Sequence, residues 1–226
     1  MDSQKKLFND LFLEWSKGGR LKQPHAIWAP RRESWIKEFP DQKLFIEKLP
    51  LELDREALRN VANLEELSFE SKFIATMIWG YGDRGYGPYR VSRILGQSSA
   101  LHVIEEVYQA CRESKPLDAY RVFQNQPITG LGPSFGTKFI SFMTTREQTA
   151  PILDSLVAKW LVHYGPDVFK LSERRYTKWD IGVYEAFCSY VAGLASQYNC
   201  HADLIEQLMF ESASKEFTVN SGWLKL

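Results

Sequence analysis

Only three cysteines occur among the 226 residues, Cys111, Cys188 and Cys200, scattered and without a Cys-x-x-Cys pair. That speaks against a disulfide scaffold and against a four-cysteine zinc or iron–sulfur site. The four histidines, His25, His102, His163 and His201, show no metal-ligand spacing and read as surface or capping residues. No metal and no cofactor is therefore expected. No apolar run approaches the roughly 18 residues needed to cross a bilayer. The opening Met1-Asp2-Ser3-Gln4-Lys5-Lys6 does not lead into a secretory apolar segment, so a cytoplasmic protein is expected. Charge of one sign is missing as well: 28 Lys and Arg balance 28 Asp and Glu. No global field draws the chain to a polyanion, and any affinity for nucleic acid must come from a local patch. Candidates are Arg31-Arg32, Arg84 with Arg90 and Arg93, and Arg174-Arg175 with Lys178, each also readable as a solvated face. Strand signals are sparse, with no Asn-Gly or Asp-Gly turn between alternating runs. There is no internal repeat and no low-complexity linker.

What is present is ample material for a helical core, with 44% hydrophobic and 14% aromatic residues. Apolar residues recur at three- and four-residue intervals. Leu7, Leu11, Phe12 and Trp15 predict an opening helix that stops at Gly18-Gly19. An irregular stretch with Pro24, Pro30, Arg31 and Arg32 runs into a short helix at Trp35. Asp54 is a plausible N-cap for a helix through Leu58, Val61 and Ala62. Ser68 opens another, with Phe73, Ile74, Met77, Ile78 and Trp79 on its apolar side. Residues 79–90 carry four glycines and three tyrosines and are expected to be an irregular loop. Further helices are expected at 101–111, 117–123, 130–143, 151–161, 178–196 and 201–210. The fold class that follows is all-α, with two helical lobes.

The informative stretch is Ile128-Thr129-Gly130-Leu131-Gly132-Pro133-Ser134-Phe135-Gly136-Thr137-Lys138-Phe139. It fits a helix-hairpin-helix: an apolar residue, Gly-apolar-Gly, a small residue four positions on, then an apolar residue. Gly130 and Gly132 allow a tight hairpin with positive φ. The N–H groups so exposed, with the amino end of the next helix, suit a DNA phosphate without reading sequence. Lys138 follows on that helix, flanked by Phe135, Phe139 and Phe142 at helical spacing. Burial among aromatic rings favours the neutral amine that nucleophilic attack requires. Further along, Pro151-Ile152-Leu153-Asp154 leads into the apolar pattern of Leu156, Val157, Trp160 and Leu161. Asp154 would start that helix, as an N-cap or as a functional carboxylate.

The hairpin, the lysine on its second helix and the aspartate before the next helix resemble the helix-hairpin-helix DNA glycosylase superfamily. Gly-Pro-Ser-Phe-Gly-Thr-Lys followed by Ile-Leu-Asp is most similar to its prokaryotic 8-oxoguanine DNA glycosylase (OGG) fold members. Trp79-Gly80-x-Gly82 and Gly85-Tyr86-Gly87-Pro88-x-Arg90 also look like that group. The likeness spans roughly residues 70–215. It implies a two-lobed all-helical fold over 1–226, with the hairpin at about 120–145 and the aspartate loop at about 148–155. It also implies damaged or modified double-stranded DNA as partner, and base release with strand cleavage from a flipped-out nucleotide.

On this resemblance Lys138 would be the nucleophile and Asp154 the stabilising carboxylate. Gly130, Gly132, Ser134, Gly136, Thr137 and Arg90 would contact DNA, and Trp79, Tyr81, Tyr86 or Trp179 would stack on the base. In the usual register the lysine lies two residues after the second hairpin glycine, where this chain has Ser134. Lys138 is one turn further on the same helix face, and its Gly-Thr-Lys matches the lyase-type sequence. Two alternatives stay open. One is a monofunctional enzyme using water. The other is a non-catalytic DNA-binding subunit working with proteins of a bacterial defence operon, where relatives of this fold occur.

Overall fold

Thirteen α-helices, a short 3-10 helix at Pro40–Gln42 and no strand account for the regular structure among the described residues. The structure is a computed structural model that describes residues 2–17, 31–82, 84–145, 147–148, 150–170 and 179–220. In chain order the helices are α1 Asp2–Ser16, α2 Arg32–Glu38, α3 Lys43–Lys48, α4 Arg55–Asn63, α5 Phe69–Tyr81, α6 Gly87–Leu95 and α7 Ala100–Arg112. They continue as α8 Pro116–Asn125, α9 Pro133–Met143, α10 Ser155–Tyr164, α11 Asp167–Lys170, α12 Ile181–Tyr198 and α13 Ala202–Asn220. Gly18, Gly19, Pro24, Pro30 and the Arg174, Arg175 and Lys178 cluster lie outside the described residues. The chain divides into two compact units, one of residues 23–148 and one of residues 1–22 with 149–226.

The first unit is organised around α5. Phe73, Ile74, Ala75, Met77, Ile78 and Trp79 are all buried, so this helix is apolar on every side and must be enclosed. It packs against α4, α6, α7 and α9. Phe73 meets Phe139 of α9 edge-on at 5.2 Å. The caps are those anticipated: the Ser68 hydroxyl accepts from Ser71 N at 3.1 Å, and Asp54 accepts from Ala57 N at 2.8 Å. Arg32 donates to the carbonyls of Glu47, Leu49 and Pro50, at 3.1, 2.6 and 2.9 Å. Its guanidinium thus closes the carboxyl end of α3, which removes it from the basic candidates.

The second unit packs α10, α12 and α1 on α13. Phe12 of α1 lies 4.5 Å from the ring of Tyr198, whose hydroxyl donates to Asn9 Oδ1. Tyr184 of α12 donates to Pro151 O at 3.1 Å, fixing the segment that leads to Asp154. Among the described residues no helix is long and apolar enough to cross a membrane. None of them forms a group of three or more His, Cys, Asp or Glu able to hold a metal ion.

Three local expectations differ from what is found. The irregular stretch is shorter than residues 79–90, because α5 runs to Tyr81 and α6 starts at Gly87. Pro88 near the start of α6 preorganises the first turn rather than prolonging the loop. The short helices α3 and α11, of six and four residues, fall below the length at which periodicity is visible. Helix α10 begins at Ser155 rather than at 151, since Pro151, Ile152 and Leu153 form a buried, non-helical lead-in.

Two cysteines serve only as small apolar groups. Burial pushes the thiols of Cys111 and Cys188 up to about 12, so neither offers thiolate near neutral pH. We expect the native protein at pH 8 to leave both unmodified by a thiol reagent, and denaturation to expose all three cysteines. Rapid native modification of Cys111 or Cys188 would contradict this packing. The same shift has a sign in stability. Both thiols stay protonated in the folded chain above their ordinary value of 9.0 while the unfolded chain loses those protons. This contribution is complete below pH 9 and falls as pH rises toward 12.

Candidate nucleic-acid and catalytic site

Residues 126–132 form the hairpin turn between α8 and α9, and its two glycines differ. Gly130 has φ +89, a conformation in which a Cβ is strained. Gly132, expected to share it, has φ −90 and ψ 176 as the extended N-cap of α9. A Cβ on Gly132 would meet nothing within 4 Å, whereas one on Gly130 would touch Ile94 at 3.5 Å. Gly132 is therefore not needed for the turn itself. Its bare face leaves room for something to come close to the backbone. Gly130→Ala should cost about 1–2 kcal/mol of stability, and Gly132→Ala less than about 0.5 kcal/mol. Denaturant melts of the two variants check this; equal losses would mean the turn is misassigned.

The hairpin is anchored to α6. Gln97 Nε2 donates to Thr129 O at 2.9 Å and Gln97 Oε1 accepts from Thr129 N at 3.0 Å. Arg90 reaches Gly130 O at 3.4 Å. Among the described residues the N–H groups of Gly130, Gly132 and Ser134 have no backbone acceptor. These three donors lie at an exposed turn that opens a helix, the setting in which backbone N–H groups can take an anion.

Behind the turn the structure corrects two assignments. Gly136 is buried, donates its N–H to Gly132 O at 3.0 Å, and faces Phe123, which a Cβ would meet at 3.2 Å. It lets α8 and α9 approach and is not open to DNA. Thr137 is fully buried, and its hydroxyl donates to Pro133 O at 2.7 Å, so it too has no DNA-facing group.

Lys138 is 6% exposed. Its Nζ donates to Ser134 Oγ at 3.0 Å and to Ser134 O at 3.3 Å, and it stands 5.3 Å from the centre of the Phe135 ring. Gly80 of α5 makes this possible: a Cβ there would come within 2.9 Å of Phe135 Cε1 and 3.2 Å of Lys138 Cδ. Phe135 stacks on Tyr81 at 4.3 Å, and Tyr81 meets Tyr86 edge-on at 5.7 Å. Amine, serine and aromatic rings thus form one cluster beneath the hairpin. The Tyr81 hydroxyl is buried without a hydrogen-bond partner among the described residues. Burial raises its pKa, opposed by the positive charge of Arg90, helped by Tyr86, and opposed again by Arg84.

Asp154 caps α10. Its Oδ1 accepts from Leu156 N at 2.9 Å and Val157 N at 3.0 Å, which fixes the carboxylate plane. Both readings of this residue are compatible with that geometry, since the cap uses a single oxygen. Asp154 belongs to the second unit and Lys138 to the first.

The base-stacking candidates fare unevenly. Trp79 is buried, edge-on to Phe142 at 4.9 Å and under the Arg55 guanidinium at 5.4 Å. Trp179 is buried against Phe169 at 5.6 Å. Both are core residues, as large apolar rings usually are, and Tyr81 is buried with them. Tyr86 alone of the four is open, at 51% exposure.

Residues 22–210 match the family described as "Putative 8-oxoguanine DNA glycosylase OGG-like protein". The chain belongs to this family. No curated protein and no solved structure matches it. The OGG-like span takes in the hairpin, Lys138, Asp154 and their supporting helices. The structural part that several residues play in this cluster is not visible in the sequence. Gln97 holds the hairpin from a distance in sequence, and Gly80 interrupts an apolar helix for a reason visible only across its contact with α9. Tyr89, 61% exposed on α6, was hidden inside the supposed loop.

Proposed function

We propose that the chain is a DNA glycosylase with associated strand-cleaving activity, acting on a modified purine of the 8-oxoguanine kind. The observation that carries this reading is the amine of Lys138, buried beside the Phe135 ring and donating to Ser134, directly behind a turn whose N–H groups have no backbone acceptor. The hairpin grips a phosphate through those groups and so sets the strand's position without reading sequence. The nucleotide must leave the stack, since its glycosidic bond is inaccessible within it. Asp154, held by two N–H bonds, stabilises positive charge developing on the sugar as the bond between C1′ and the base breaks. The amine then forms a bond to C1′ and the base departs with its electron pair and a proton. The nitrogen lone pair then breaks the C1′–O4′ bond, O4′ taking up a proton, to give a protonated Schiff base, and removal of a C2′ proton expels the 3′ phosphate.

A second reading has one observation in its favour. Ser134 stands where the superfamily lysine usually lies, and its Oγ contacts Lys138 Nζ. In that case Asp154 activates water, Lys138 positions Ser134, and the base leaves without strand cleavage. The two separate on a labelled duplex containing 8-oxoguanine opposite cytosine. Free base with a nick formed before alkali or heat is the expected result. Free base with nicks only after alkali would favour the water mechanism, and no free base would reject both.

A further inference from the structure

The outer face of α6 is exposed and carries tyrosines and arginines. Tyr86, Tyr89, Arg90 and Arg93 are exposed and stand at i, i+3, i+4 and i+7, the spacing of one helical stripe. The opposite side, Gly87, Pro88, Val91 and Ile94, is buried. Among the described residues Arg84, Arg90 and Arg93 form no ion pair, and residues 84–104 contain no aspartate or glutamate. The Arg31 guanidinium adds to the patch, lying so close to Gly85 that a Cβ there would sit 2.8 Å from Nη1. In a chain whose total charge is zero, this concentration of cations is local. The Gln97–Thr129 bonds and the Arg90 reach to Gly130 join the stripe to the hairpin.

From this juxtaposition we infer that the α6 face is a second nucleic-acid surface, which holds an unpaired stretch of the DNA strand next to the displaced nucleotide. Cations alone would suit any polyanion. Two tyrosines with half or more of their surface open select for bases with a free face, because a ring can stack only on a base that lacks a neighbour. Arg90 and Arg93 neutralise the phosphates between those bases. The inference rests on the glycosylase reading for the kind of polymer, and it adds which strand state is held and by what.

The test uses the full chain, with Tyr89→Ala and Arg93→Ala, both at exposed positions. Binding is measured on a duplex with a short central bubble and on the same duplex fully paired, across a range of salt. Tyr89→Ala should weaken bubble binding by about tenfold while changing paired binding by less than about twofold. Arg93→Ala should weaken both and reduce the slope of log K against log salt by about one. Equal loss on bubble and paired DNA for Tyr89→Ala, or no loss on either, overturns the inference, and so does a wild type that binds neither DNA. Base release by the wild type is scored in parallel. Release with an indifferent α6 leaves the glycosylase reading standing and removes this one, while Tyr89-dependent bubble binding without release does the reverse.

Discussion

Lys138→Gln is expected to lower lesion-dependent strand cleavage by about 10³-fold or more while the protein remains folded. Glutamine can still donate to Ser134 Oγ and fills most of the space beside Gly80 and Phe135, so the cluster keeps its packing. A carboxamide nitrogen cannot form a Schiff base, which isolates nucleophilicity from shape. Single-turnover cleavage with excess enzyme checks this, alongside thermal melts. If Lys138 only positions Ser134, glutamine should retain base release within about tenfold and show no selective loss of nicking. That outcome would transfer the chemistry to water and Asp154.

The second large effect concerns Asp154, whose two roles can be separated by choice of substitution. Asparagine caps a helix about as well as aspartate, so Asp154→Asn should preserve the bonds from Leu156 N and Val157 N and melt within a few degrees of wild type. It removes the negative charge and should lower the rate of base release by about 10²–10³-fold. Asp154→Ala should lose the same activity and, in addition, about 1 kcal/mol of stability from the missing cap. Activity in Asp154→Asn close to that of wild type would reduce the residue to a structural cap. The pairing of melts and single-turnover rates makes the distinction, since a purely structural role moves stability first.

The parts of this molecule legible in the sequence are those encoded by short-range chemistry. Ser68 and Asp54 announced their helices because a side-chain oxygen three residues before a free N–H is a local arrangement. The glycine hairpin was visible because Gly130 is needed by its own φ. The all-α class followed from periodicity alone. What escaped depends on contacts between segments distant in sequence. Gly132 looked like a twin of Gly130, yet its conformation is extended and its glycine leaves open space instead. Gly136 and Thr137 read as part of a motif presented to DNA, and burial against Phe123 and the carbonyl of Pro133 takes them inside. Trp79 and Trp179 read as stacking candidates for which core packing is the commoner role, and a sequence cannot tell which side of a helix meets solvent when most sides are apolar. The stripe on α6 was lost because glycine density suggested a loop, while Pro88 was starting a helix.

The proposed mechanism requires Lys138 to bond covalently to the sugar of the excised nucleotide. Borohydride reduction during reaction with an 8-oxoguanine duplex, followed by proteolysis and mass mapping, tests it directly. A deoxyribose remnant is expected on the peptide containing Lys138, absent from Lys138→Gln and from reactions with undamaged duplex. A remnant on another lysine, or excision of the base with no adduct at any borohydride concentration, would contradict it.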